Sequence, residues 1–126
     1  FPHLFRDLAL AGAEILTAPA AFTRQTGEAH WHVLQRARAI ENGAFVISAA
    51  QGGTHEDGRE TFGHSLIIDP WGRVIAEVAS DEPGIVVARL ALDEVKAARA
   101  KIPNLRNARG YRVENSSVAM KTERLA

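Results

Sequence analysis

The stretch from Thr26 to Ala50 constrains the fold most. Ala29, Val33, Leu34, Ala37 and Ile40 recur at the spacing that gathers side chains on one face of a helix. Thr26 is placed to cap its start, because a hydroxyl there accepts one of the amides the first turn leaves unpaired. Asn42-Gly43 closes it, since glycine takes the left-handed C′ geometry without steric cost. Next comes Phe45-Val46-Ile47-Ser48-Ala49-Ala50, apolar at nearly every position instead of at alternate ones. A strand of that kind is covered on both faces and belongs inside a sheet. A helix running into a doubly buried strand implies a layered α/β protein, and it requires a second cover for the sheet.

The flanking sequence continues the alternation. Pro2 suits a first helical position, where its missing amide costs nothing. Phe1, Leu4, Phe5, Leu8 and Ala11 form an apolar stripe, and Gly12 stops the helix. Glu14 to Ala18 reads as a short strand ended by Pro19. The loop from Pro19 to Gln25 lies beyond that strand's carboxyl end, where α/β sheets bind ligands. Phe22 reads equally well as a pocket wall or as a plug over the sheet edge. Gln51 to Phe62 is polar and glycine-rich and reads as an exposed loop. Ser65 to Ile68 and Arg73 to Ala76 flank Asp69-Pro70-Trp71-Gly72, a hairpin with proline at the second turn position. Ile85 to Ala88 is a further strand. Asp93 caps a helix from Glu94 to Ile102, which Pro103 closes. From Asn104 the pattern fades into an irregular tail.

Composition removes several functions. The 126 residues suit one domain or part of a larger one. Lys+Arg and Asp+Glu are each 15, so there is no electrostatic footprint for nucleic acid or an anionic membrane. No apolar run approaches the ~20 residues of a membrane span, and no signal peptide is visible. Cysteine is absent, which removes disulfides, thiolate metal sites and a thiol nucleophile. We expect a cytoplasmic protein. The opening Phe1-Pro2, without an initiator methionine, reads as a chain cut from something longer.

The chemistry-bearing residues do not form a machine. His30 and His32 stand two apart on a helix, point to nearly opposite sides and cannot share an ion. His55 lies in the polar loop, so we expect no metal and no cofactor. Gly63-His64-Ser65-Leu66-Ile67 approaches the Gly-x-Ser-x-Gly nucleophile elbow but lacks its second glycine and enters a strand. Adjacent strand residues face opposite sides, so His64 and Ser65 read as structural residues beside a site, not as a catalytic pair. Glu41, near a helix end, opposes the macrodipole and needs a cation such as Arg38 or Arg36. It reads as one half of a buried ion pair.

Taken in order, the motifs resemble the carbon–nitrogen hydrolase (nitrilase) superfamily. The resemblance rests on Phe1-Pro2-His3-Leu4-Phe5-Arg6, Leu8 to Glu14, Pro19-Ala20-Ala21-Phe22-Thr23 and His30-Trp31. It continues through Arg36 to Asn42 and through Gly63-His64-Ser65 to Asp69-Pro70-Trp71-Gly72. It is strongest for the Nit-type amidases, which include deaminated glutathione amidases and ω-amidases. It implies half of a four-layer α-β-β-α sandwich over residues 1–113, with 114–126 as a tail. It also implies a homodimer with the Gly27 to Asn42 helix in the interface. Members of the family use a Glu base, a Lys that stabilises the oxyanion and a Cys that forms a thioester. None of the three has a counterpart here, so no residue of this chain is expected to be catalytic. The resemblance carries over a pocket-lining role for Ala21, Phe22 and Thr23 with His30 nearby, and a structural role for Glu41, His64 and Ser65. The expected partner is a small carboxylate-bearing amide. The rival reading is a non-catalytic α/β module that self-associates through exposed apolar faces.

Overall fold

The computed structural model describes residues 1–113. The elements run α1 (Pro2–Leu10), β1 (Ile15–Thr17), α2 (Arg24–Asn42), β2 (Phe45–Ser48), β3 (Gly52–Thr54) and β4 (Glu60–Phe62). They continue with β5 (Leu66–Ile68), β6 (Val74–Glu77), α3 (Asp93–Lys101) and α4 (Asn104–Asn107). A four-stranded sheet has the order β1-β2-β5-β6, and β3 pairs with β4 in a separate hairpin. β1 and β2 are parallel, as a strand–helix–strand crossover requires. The β2–β5 and β5–β6 pairs are antiparallel.

Register decides what each face buries. Leu16 pairs with Val46, and Val46 with Ile68; Ser48 pairs with Leu66. Paired residues share a face, so these five side chains form one wall. The helices close it: Trp31 and Ala39 from α2, with Ala44 and Phe62, complete the buried cluster. Phe5 of α1 packs against its edge. On the opposite face Phe45 and Ile67 are buried, but Thr17 and Ile15 are exposed and Ile47 is half-buried. The second cover that the sequence requires is therefore incomplete over β1.

Several expectations need correction. α2 starts at Arg24, and its cap is Thr23, whose Oγ1 accepts from the Thr26 amide; Thr26 lies inside the first turn. Gly43 ends the helix in the left-handed conformation at φ 53°. The buried residues of α2 are Gly27, Trp31, Gln35, Ala39 and Asn42. Val33, at 61% exposure, lies on the outside with Leu34 and Ile40. Polar residues on the inner face make hydrogen bonds there, although Asn42 Oδ1 is buried without a partner. Ser48 Oγ donates to Gln35 Oε1 (2.8 Å), and Asn42 Nδ2 donates to Arg38 O (2.8 Å). In α1, likewise, Ala9 is buried while Phe1, Leu4 and Leu8 are exposed. The expected loop 51–62 holds the β3–β4 hairpin. Ile85 to Ala88 joins no ladder, and Ile85 and Val87 are 91% and 83% exposed. Residues after Asn104 begin with the short helix α4. The tail 114–126 lies outside the described residues. Among those described, no helix is long and apolar enough to cross a membrane.

The β5–β6 turn forms as the sequence indicates, and Asp69 governs it. The buried carboxylate accepts from the Trp71 and Arg73 amides (both 2.9 Å) and from Arg73 Nε (2.5 Å). Truncation leaves two amides without their acceptor. We expect Asp69→Ala to lower the unfolding free energy by about 2 kcal/mol, measured by urea denaturation.

Candidate active site

Because β1 and β2 are parallel, their carboxyl ends leave the sheet on the same side. The two exits stay joined. Ala18 N–H donates to Ile47 O (3.2 Å), Ala20 N–H to Ala49 O (2.9 Å) and Gln51 N–H to Ala20 O (3.0 Å). Small side chains follow both strands, and above them lies an open cleft of about 480 Å³ walled by Pro19, Ala20, Ala21, Ala49, Ala50 and Gln51. A second cleft, of about 360 Å³, shares Ala50 and Gln51 and adds His55, His64, Ser65 and Asp81.

The expected site residues are distributed unevenly around these clefts. Ala21 lines the first. Phe22 is half-buried and turns inward against Trp31, with ring centroids 5.2 Å apart. Thr23 caps α2. His30 is exposed on α2; it is His32 that reaches the Phe62–His64 pair, 5.8 Å from the His64 ring. His32 Nε2 donates to Glu77 Oε1 at 2.7 Å. Glu41 pairs with Arg38, and the pair is partly buried, the Arg38 side chain 16% and the Glu41 side chain 40% exposed. The Arg38 guanidinium also lies 5.9 Å from the centre of the Phe5 ring.

His64 and Ser65 do not alternate along a strand. Gly63 and His64 both have positive φ, 69° and 63°, and β5 begins only at Leu66. Ser65 Oγ accepts from the Ala50 amide at 2.9 Å, which ties β5 to the exit of β2. His64 is held on several sides. Its N–H donates to Ser80 O (3.0 Å), its carbonyl accepts from Trp31 Nε1 (2.8 Å) and its Nδ1 donates to Phe62 O (2.7 Å). Its ring stacks on Phe62 at 3.9 Å and 9°.

A charged clasp holds the far wall. Arg24 Nη2 donates to Asp81 Oδ2 at 2.5 Å, and Arg24 Nε lies 3.4 Å from Glu60. It joins the start of α2 to the segment that passes over Gly52 and Gly63. A Cβ at Gly52 would meet Asp81 O at 2.4 Å, so that backbone approach demands glycine. The Arg24 hydrogen bond holds the Asp81 carboxyl below its ordinary value of 3.8. The folded state thus binds this proton less readily than the unfolded chain does. The pairing contributes fully above pH 3.8 and is lost as pH falls below it, through the lowered folded value. We expect Arg24→Gln to lower Tm in the neutral region, where the pairing contributes fully, and the two Tm-against-pH curves to converge at low pH, which flattens the variant's acid limb.

These residues supply walls, hydrogen-bonded supports and a fixed imidazole, but no sulfur nucleophile. Arg24 carries no signal in the sequence, and Trp31 and His32 carry none for a place beside the site. The signal for the burial of Trp31 was the four-residue repeat Gly27, Trp31, Gln35, Ala39, hidden because two of its members are not apolar.

Residues 1–100 match the carbon–nitrogen hydrolase family, and the chain belongs to it. It is 48% identical over 107 residues to a deaminated glutathione amidase of Synechocystis, covering 85% of this chain and 39% of that protein. It is 50% identical over 103 residues to a deaminated glutathione amidase of Homo sapiens, covering 82% and 31%. The chain therefore spans about two-fifths or less of the length of these relatives. Among solved structures, the C. elegans NitFhit protein superposes with a TM-score of 0.82 at 42% identity, covering 86% of this chain and 26% of that one. Nit3 of Saccharomyces cerevisiae, a member of the nitrilase superfamily, gives 0.76 at 33% identity, covering 82% and 38%. The α/β architecture is that of half an α-β-β-α sandwich of the nitrilase type.

Proposed function

We propose that this chain is the carboxyl-terminal part of a carbon–nitrogen hydrolase that cleaves small carboxylate-bearing amides. One observation carries the reading. The chain is about half identical to deaminated glutathione amidases over nearly its whole length, yet it contains no cysteine. The incomplete cover over β1 supports it, since a second sheet would bury Ile15 and Thr17. In this reading a cysteine upstream attacks the amide carbon, the C–N bond breaks, and the nitrogen leaves as ammonia with a proton supplied by the glutamate. Water then hydrolyses the thioester, and a lysine stabilises the oxyanion in both steps. This chain walls the pocket with Ala21 and the 49–51 segment. Phe22, Thr23, Ser65 and the Arg38–Glu41 pair hold those walls in place. The outward Val33, Leu34 and Ile40 of α2 offer the apolar face a homodimer would bury.

The test joins this chain to the upstream segment of its own gene and follows ammonia release from an α-keto amide such as α-ketoglutaramate. The joined protein is expected to turn over and the 126-residue chain alone to be inactive. Ammonia release by the cysteine-free chain refutes the proposal. An upstream segment without a cysteine refutes it equally.

A further inference from the structure

We infer that His64 is a substrate-binding residue of the amidase proposed above, accepting a hydrogen bond from the substrate at Nε2. Among the described residues it is the one non-glycine with positive φ. Non-glycine residues are uncommon there, with asparagine, aspartate and histidine the most frequent of them, and such backbone persists where the surroundings over-determine it, often at functional sites. A glycine would satisfy the backbone at this position more easily, so the imidazole is what the strained position supplies.

Three contacts fix that imidazole. Nδ1 carries the proton, because its partner, Phe62 O, can only accept. In the neutral imidazole this leaves Nε2 with a lone pair. Phe62 stacks against one face of the ring, and His32 stands edge-on at 5.8 Å. His32 is itself held by Glu77. Among the described residues Nε2 has no hydrogen-bond partner, and it is not among the buried unpaired atoms, so it is open to solvent. The ring lines the cleft that shares Ala50 and Gln51 with the cleft above the parallel strands. An oriented, partnerless acceptor on a rigid support is suited to receive an N–H or O–H of a bound molecule. A primary amide, or the peptide amide of a longer substrate, supplies such a donor.

The assignment rests on the amidase reading, and the experiment separates the two. Full-length enzyme carrying the upstream segment is compared with His64→Asn and His64→Gln, recording kcat, KM and Tm. Asparagine accepts positive φ and can replace the Nδ1 donor to Phe62, but it has nothing at the Nε2 position. We expect it to raise KM about tenfold at nearly unchanged kcat, with Tm close to wild type. Glutamine restores an acceptor near Nε2 and should recover most of the lost KM. A KM within about twofold of wild type in the asparagine variant, whatever its Tm, overturns the assignment while leaving the amidase reading intact. A wild-type enzyme that releases no ammonia overturns the amidase reading, and this assignment with it.

Discussion

Replacing Trp31 with alanine is expected to destabilise the protein by about 3–5 kcal/mol. The side chain is fully buried where α2 meets the sheet, and it belongs to the cluster formed by Leu16, Val46, Leu66 and Ile68. Its loss opens a cavity that a wall of strand residues cannot collapse into. It also removes the Nε1 donor of the His64 carbonyl and the surface against which Phe22 packs. Both neighbours lie beside the candidate site, so the damage extends beyond stability. Phenylalanine at the same position separates the two effects. It refills most of the volume but leaves the carbonyl unpaired, and it is expected to cost about 1–3 kcal/mol. Urea denaturation of the two variants measures the difference. Equal losses would show that the hydrogen bond, not the volume, dominates.

Gly27→Ala is expected to cost about 2 kcal/mol, although alanine favours a helix over glycine by about 1 kcal/mol. The reason is the approach of α2 to β4. A Cβ on Gly27 would lie 2.2 Å from Phe62 Cβ and 2.4 Å from its Cγ. Those atoms sit at the root of the side chain, so rotation about χ1 cannot clear the first of them. The helix or the β3–β4 hairpin has to move, and the hairpin is the smaller and less anchored of the two. Hydrogen exchange should accelerate at residues 60–62 of the variant and remain slow in β2. A variant as stable as wild type would show that the hairpin yields freely.

The elements that could be read from the sequence are those set by local chemistry. Gly43 had to end α2, because a left-handed cap favours glycine. Asp69-Pro70 had to turn, because the carboxylate supplies the acceptors. The dense apolar run Phe45 to Ser48 had to become an inner strand. Which face of each helix turns inward was not legible. Val33 and Leu34 look like core residues, but Gln35 and Asn42 occupy the inner face, where Gln35 Oε1 accepts from Ser48 and Asn42 Nδ2 donates to Arg38 O. The β3–β4 hairpin was hidden for a similar reason. Gly52 read as a loop signal, whereas it serves the close passage of the Asp81 backbone, far along the chain. Ile85 to Ala88 has the composition of a strand, but composition does not name a partner strand. Of the three residues singled out in the loop after β1, Ala21 alone lines the cleft there. His30 entered with the resemblance, whereas in the structure His30 is exposed on α2 and His32 faces His64.

In the proposed amidase this chain supplies walls of the amide pocket, and a cysteine upstream of it supplies the reactive sulfur. Mass spectrometry of full-length enzyme, quenched during turnover of an α-keto amide and digested, tests that division directly. The predicted result is an acyl adduct, labile to hydroxylamine, on a cysteine peptide outside Phe1–Ala126. An adduct on any residue within those 126, or ammonia release with no acyl-enzyme formed, would contradict it.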